Sequence, residues 1–438
     1  MNPDFLQNIR PDILPPDEVL SQCIHCGMCL AVCPTYDLTK LERSSPRGRI
    51  KMITSVARGE IHISKIFSEE MNFCLDCQAC ETACPAGVKY GKLVESARVL
   101  IDEKFISSSF RIRIKRFLLR NIIADKTNLK LFAKILRFYQ KSFLKSLLEK
   151  SGLLKIFSKS LPEISKLTPK ISDFFSDVII PEISKPDGEI KYKAAFHFGC
   201  IMNVAFADIN KDTIDVLRKY SCEVFTPKNQ VCCGSLQAHN GDIEFAKLLA
   251  RKNIDAFSNG DYDYLISNSA GCGAFLKEYN YLLKDDPDYS EKARDFSKKV
   301  RDVSEFLFDK EPKPGFKDIN IRVTYQDACH LAHSQKVVSE PRELLKSING
   351  LEIVEMEGSS TCCGSAGIYN LVRYADSVHF LRSKIDNIKS TNSAFVVTGN
   401  PGCILQIKYG VEKFNCNIQV IHPVSLVKMA LNDYNSRK

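Results

Sequence analysis

Cysteines dominate the chemistry available to this chain. Of its 18, four fall within twelve residues in "CIHCGMCLAVCP", at Cys23, Cys26, Cys29 and Cys33. Four more repeat the spacing in "CLDCQACETACP", at Cys74, Cys77, Cys80 and Cys84. Thiols this dense bind metal, pair as disulfides or act as nucleophiles. The start "MNPDFLQNIRPD" has neither a basic n-region nor an apolar h-region, so no export leader is expected. The thiols should then stay reduced in a cytoplasmic setting, which leaves metal ligation as the leading chemistry.

The run C-x2-C-x2-C-x3-C-P is the ligand pattern of two-cluster ferredoxins, in which three close thiolates hold one 4Fe-4S cube and the fourth crosses to the other. The pattern assigns Cys23, Cys26, Cys29 and Cys84 to one cluster and Cys74, Cys77, Cys80 and Cys33 to the second. The alternatives are zinc, which usually takes two separated pairs of ligands, and cysteines that are merely buried. Pro34 and Pro85 end each block. Between the blocks, "RGRIKMITSVA" has helical spacing, so the clusters are expected to sit among helices. Arg47 and Arg49 either offset cluster charge or are solvated, and His25 reads as a loop residue.

A second set of cysteines lies in a duplication. "AAFHFGC" ending at Cys200 matches "VTYQDAC" ending at Cys329; "VCCGS" with Cys232 and Cys233 matches "TCCGS" with Cys362 and Cys363; "YLISNSAGC" ending at Cys272 matches "FVVTGNPGC" ending at Cys403. Each copy reads as strand, cysteine, helix, strand, CCG loop, helix, strand, cysteine, helix, which implies parallel strands with crossover helices. Sites in such sheets form beyond the carboxyl ends of the strands, where these cysteines fall. Adjacent cysteines suit a polynuclear centre better than a single ion, so one or two further metal centres are expected here. Buried reduced thiols are the alternative, and they account for Cys222 and Cys416. His239, His330 and His333 lie near these loops in sequence and are candidates to ligate or to move protons.

These blocks need elements to carry them. A chain of 438 residues has room for two or three cores. The sequence divides into a helical two-cluster domain over 1–104, a basic amphipathic helical linker over 105–192, and cysteine-rich repeats over 193–310 and 311–438. The net charge of +9 is concentrated in the linker, where Phe105 to Lys170 carries sixteen Lys and Arg against three acidic residues. Leu129, Phe132, Ile135 and Leu136 could share a helix face, as could Phe143, Leu144, Leu147 and Leu148. Such faces pack on protein or dock on an anionic membrane; no recognition motif points to nucleic acid. The proline-bearing stretch after Ser160 reads as an irregular connection. No apolar run approaches the ~18 residues of a membrane span.

Taken in order, "CIHCGMCLAVCPTYDL", "SPRGRI", "CLDCQACETACPAGV", "DACHLAH", "CCGSAGIYN", "TGNPGCILQI" and "HPVSLV" resemble the glycolate oxidase iron-sulfur subunit family. More widely they resemble the cysteine-rich proteins of lactate utilisation and heterodisulfide reduction. The resemblance implies a multidomain α+β protein: a helical ferredoxin-type domain, a helical linker and a duplicated α/β cysteine-rich domain. It implies two 4Fe-4S clusters in this chain and FAD only in a partner subunit that oxidises a 2-hydroxy acid. Electrons would pass on to a quinone or another acceptor, with peripheral contact at the inner face of the cytoplasmic membrane left open. The absence of a Gly-rich dinucleotide fingerprint agrees. The alternative is catalysis at a metal centre of the CCG repeats, as in heterodisulfide reduction. Ser269 and Asn400, standing where that branch has the first cysteine of a C-x-x-C pair, speak against it.

Overall fold

The structure is a computed structural model that describes residues 13, 15, 17–143, 145, 161–311 and 313–431. It is mixed α/β, and the chain divides into two compact units. The first comprises Met1–Arg120 together with Gly234–Ala246; the second comprises Asn121–Cys233 and Lys247–Lys438.

The first unit is helical. Ser45 accepts a hydrogen bond from the Gly48 amide and Pro46 occupies the first turn, so "SPRGRI" starts the helix Pro46–Ala57. Ser64 caps Lys65–Phe73 in the same way. These helices and Tyr90–Phe105 bury Ile50, Ile53, Phe67, Met71, Leu93, Val94 and Ala97 in one core, which also takes in Cys74 and Cys80. Gly48 explains the glycine of the motif: a Cβ there would lie 2.0 Å from the Glu42 carbonyl oxygen. Alanine in a helix interior ordinarily gains about 1 kcal/mol over glycine. Gly48→Ala is therefore expected to act with the opposite sign, costing about 1–3 kcal/mol through overpacking, as read from denaturant unfolding.

The second unit holds the repeats as two sheets. The first runs β1 (Ile183–Ser184), β3 (Cys222–Phe225), β2 (Tyr192–His197), β4 (Tyr264–Ser267), β5 (Val300–Asp302). The second runs β7 (Leu351–Ile353), β6 (Ile321–Tyr325), β8 (Phe395–Val397), β9 (Gln419–Ile421). Every pairing is parallel except that of β1 with β3, so the expected alternation of strand and crossover helix is present in both copies. The connection after Ser160 is more regular than its prolines suggest. It forms the short helices Leu161–Lys166 and Ser176–Ile179, and β1 closes the sheet edge by pairing Ile183 with Phe225.

The helix Lys126–Lys141 begins at Asp125, whose carboxylate accepts the Asn128 amide. Its buried stripe is Leu129 and Ala133, with Leu136 packed alongside. Phe132 and Ile135 face outward with Leu131 and Phe138, the last 72% exposed. The expected grouping of Leu129 with Phe132 and Ile135 is thus corrected, because the core takes the i, i+4, i+7 row and leaves the neighbouring apolar row to solvent. Phe143 is also exposed, whereas Leu144, Leu147 and Leu148 lie outside the described residues. No helix among the described residues is long and apolar enough to cross a membrane.

Candidate metal centres

All the described cysteines are free thiols, and the structure gathers them into groups. In the first unit the two C-x2-C-x2-C loops share an unusual backbone. His25 and Gly27 in one loop, and Asp76 and Gln78 in the other, take positive φ at matching positions. For the three non-glycines this costs about 1–2 kcal/mol each, strain of the kind retained where a site needs it. The reversals curl each loop, so that Cys23, Cys26 and Cys29 line a single cavity together with the distant Cys84; Cys80 and Tyr90 also reach it. His25 is an exposed loop residue, as expected.

The second group is more enclosed. Cys33, Cys74, Cys77 and Cys80 are all buried. Burial, then the neighbouring Cys77, Cys74 and Cys33, push the Cys80 thiol well above its ordinary pKa. Four buried sulfurs in one another's field are a poor resting place for thiolates without a cation, and the set therefore fits a metal cluster. Cys33 stands at the N-cap position of the helix Pro34–Thr39, so Pro34 both ends the cysteine block and opens a helix. The Asp76 amide and the Tyr90 hydroxyl donate to the Cys74 sulfur at 3.3 and 3.5 Å.

Around these loops runs a network with no signal in the spacing. Arg98 donates to the carbonyls of Met71, Cys74 and His239 and lies 3.3 Å from Asp76. His239 belongs to the first unit, not to a CCG centre. Its Nδ1 lies 2.8 Å from Glu95 and 3.3 Å from Asp76, and the carboxylates overcome burial to raise its pKa to about 10. These three donor atoms lie within 4.8 Å of one another, a spread that would suit a cation. Arg98 and Lys92 already sit on the two carboxylates, however, so the group is balanced as an ion network with a protonated histidine.

In the first repeat, Cys200, Cys232, Cys233 and Cys272 converge. A hydrogen bond with Cys232, then burial, push the Cys200 thiol well up, whereas the hydrogen bond from Cys233 draws Cys272 down. Tyr279 and Asn253 fix the loop by donating to the carbonyls of Cys233 and Cys232. In the second repeat, Cys363 and Cys403 are 3.4 Å apart, with Cys362 and Cys329 in the same field. Here the two copies diverge. The helix Tyr374–Ser390 places Lys384 at the position that corresponds to Asn253, offset by the same number of residues as Cys403 from Cys272. Lys384 is buried and donates to Ser359, and burial lowers its pKa to about 8 against the opposing pull of Cys363, Cys362 and Cys403.

Other candidates take structural places. His333 bonds the Ser360 carbonyl, and burial lowers its pKa. Cys222 is a packed β3 residue whose thiol burial pushes up to about 12. His422 of "HPVSLV", which the cysteine pattern does not single out, accepts the Val424 amide and meets the Asn268 carbonyl at 2.9 Å, tying one repeat to the other. Burial holds its pKa down at about 4. Asn400 donates to the Cys403 sulfur at 3.6 Å.

Known proteins agree with this layout. Residues 19–88 match the 4Fe-4S dicluster domain, 194–277 and 323–408 match the cysteine-rich domain, and 112–168 match the linker region of the glycolate oxidase iron-sulfur subunit. The chain is 36% identical to a probable glycolate oxidase iron-sulfur subunit of Bacillus subtilis, covering 96% of each chain. It is 29% identical to the glycolate oxidase iron-sulfur subunit of Escherichia coli over 91% of this chain and 92% of that one. It is 30% identical to lactate utilization protein A of Oceanobacillus iheyensis over 52% of this chain and 94% of that one. Two dense cysteine loops, a basic helical middle and a doubled cysteine-rich domain, all in family order, lead to one conclusion: the chain belongs to the glycolate oxidase iron-sulfur subunit family.

Proposed function

We propose that this chain is the electron-transfer subunit of a flavin-dependent 2-hydroxy acid dehydrogenase, with glycolate as the leading substrate. Iron-sulfur cubes, when bound, supply one-electron carriers. Cys23, Cys26, Cys29 and Cys84 would hold one cube, and Cys74, Cys77, Cys80 and Cys33 the other. The loops curled at His25 and Asp76 orient the thiolates, and the Asp76 amide and Tyr90 hydroxyl direct hydrogen bonds at Cys74. The single observation that carries this reading is the convergence of the distant Cys84 with Cys23, Cys26 and Cys29 on one cavity.

Oxidation of the hydroxy acid belongs to an FAD-bearing partner, because this chain has no dinucleotide fingerprint. Cys200, Cys232, Cys233 and Cys272, and likewise Cys329, Cys362, Cys363 and Cys403, would hold further metal. The outward Leu131, Phe132, Ile135 and Phe138 on a lysine-bearing helix support peripheral docking at an anionic membrane and delivery of electrons to a quinone.

Anaerobic co-purification from fractionated cells, with iron count, EPR and flavin spectrum, is the test. The expected product is a complex recovered in part with membranes, holding flavin in another chain and more than about eight iron atoms per copy of this one. Turnover of glycolate by this chain alone, or an iron-free complex of full activity, would overturn the assignment. Recovery free of membranes would overturn the docking.

A further inference from the structure

Arg47 and Arg49 are two residues apart in "SPRGRI", yet they have different fates. Arg47 pairs with the exposed Glu42 at the surface and reaches the His25 carbonyl. Arg49 is 0% exposed. Its Nε donates to the Glu70 carbonyl and its Nη1 to Thr35, whose hydroxyl lies 3.3 Å from the Cys33 sulfur. Its Nη2 is buried without a hydrogen-bond partner, 3.8 Å from the Glu70 carboxylate. Burial opposes its charge, but Tyr90, Cys74, Cys33 and Glu70 together hold the pKa above the ordinary arginine value. A guanidinium stays charged at any working pH, so this is a fixed positive charge in the field of the Cys33 and Cys74 sulfurs, linked to Cys33 through Thr35. Tyr90, buried as well, spends its hydroxyl on Cys74. Arginine at this depth needs anionic partners, and Glu70, itself shared with Arg43 and Ser44, is joined in that role by the Cys33 and Cys74 sulfurs.

We propose that Arg49 and Tyr90 are positioning residues that raise the reduction potential of the centre held by Cys33, Cys74, Cys77 and Cys80. This inference rests on the ligand reading above. Reduction adds one negative charge to a cluster, and both a buried cation and a hydrogen bond to a ligand sulfur favour the more negative state. Removing either group makes reduction harder at this centre. At the other centre Cys26 is exposed, and the nearby arginine is the surface residue Arg47, whose backbone hydrogen bond opposes the burial that raises the Cys29 pKa.

The experiment is an anaerobic redox titration followed by EPR on the full chain, with iron counted in every variant. Cys80→Ala identifies which signal belongs to the enclosed centre. Tyr90→Phe, which removes only the hydroxyl bonded to Cys74, is expected to shift that midpoint downward by more than it shifts the other, whose cavity Tyr90 also lines. Arg49→Met should shift it further, Arg49→Lys should restore part of the shift, and Arg47→Met should leave it unmoved. Full iron content with an unmoved midpoint in Tyr90→Phe and Arg49→Met overturns the inference. Should Arg49→Met fail to fold, Tyr90→Phe with Arg49→Lys decides. A wild-type chain without iron or cluster signals overturns the ligand reading itself, a different result.

Discussion

Cys80→Ala is expected to lose one cluster, about four iron atoms per chain, and to unfold the first unit at a much lower temperature than the wild type. Cys80 is one of four buried sulfurs, and it is also a core residue beside Met71 and Leu93. Loops that hold His25, Asp76 and Gln78 at positive φ store strain. Metal bound by the cysteines would offset it, and in small metallo-domains metal binding contributes about 10 kcal/mol or more to folding. The second unit has its own cores, built on β2, β4, β6 and β8, and should melt unchanged. Calorimetry with iron analysis reads both effects. A single unaltered transition in an iron-depleted variant would refute the coupling.

His239→Gln is the second large effect. The substitution removes the cation that sits between Glu95 and Asp76, two buried carboxylates that also pair with Lys92 and Arg98. Breaking a buried pair from one side typically costs about 3–5 kcal/mol. The pH dependence has a definite sign. Folding raises the histidine pKa from about 6.5 to about 10. Below the unfolded value both states are protonated, and the contribution is fully present. As pH rises from there toward about 10, the unfolded chain has released the proton that the folded one keeps, so stability falls. Denaturant midpoints of the first unit should decline over this window in the wild type and be flatter in His239→Gln. Equal slopes would show that His239 is not the titrating cation.

The ligand cysteines and the doubled α/β domain were legible because both are local patterns. A C-x2-C-x2-C loop carries its chemistry within seven residues, and strand, helix and CCG turn recur in each copy at nearly constant offset. The chain order of the family followed from the same stretches. Other features were legible only as choices. "RGRI" offered two arginines for one task, and the linker helix read as one apolar face although the core takes Leu129 and Leu136 and leaves Phe132 and Ile135 outside. The distances that decide between such choices are not sequence distances.

What the sequence determined by itself was which side chains can hold metal and which segments fold alike, since both depend on spacing along the backbone. Only the tertiary structure decided that Arg49 is buried in the field of Cys33 and Cys74 while Arg47 stays at the surface, and that His239 joins Asp76 and Glu95 in the first unit. It also brought the matched Asn253 and Lys384, an amide and an ammonium, to the loops of their own repeats, where one donates to the Cys232 carbonyl and the other to the Ser359 carbonyl. The physical reason is that burial and charge compensation are properties of everything packed around a group, and most of what surrounds these residues lies twenty to more than a hundred positions away in the chain.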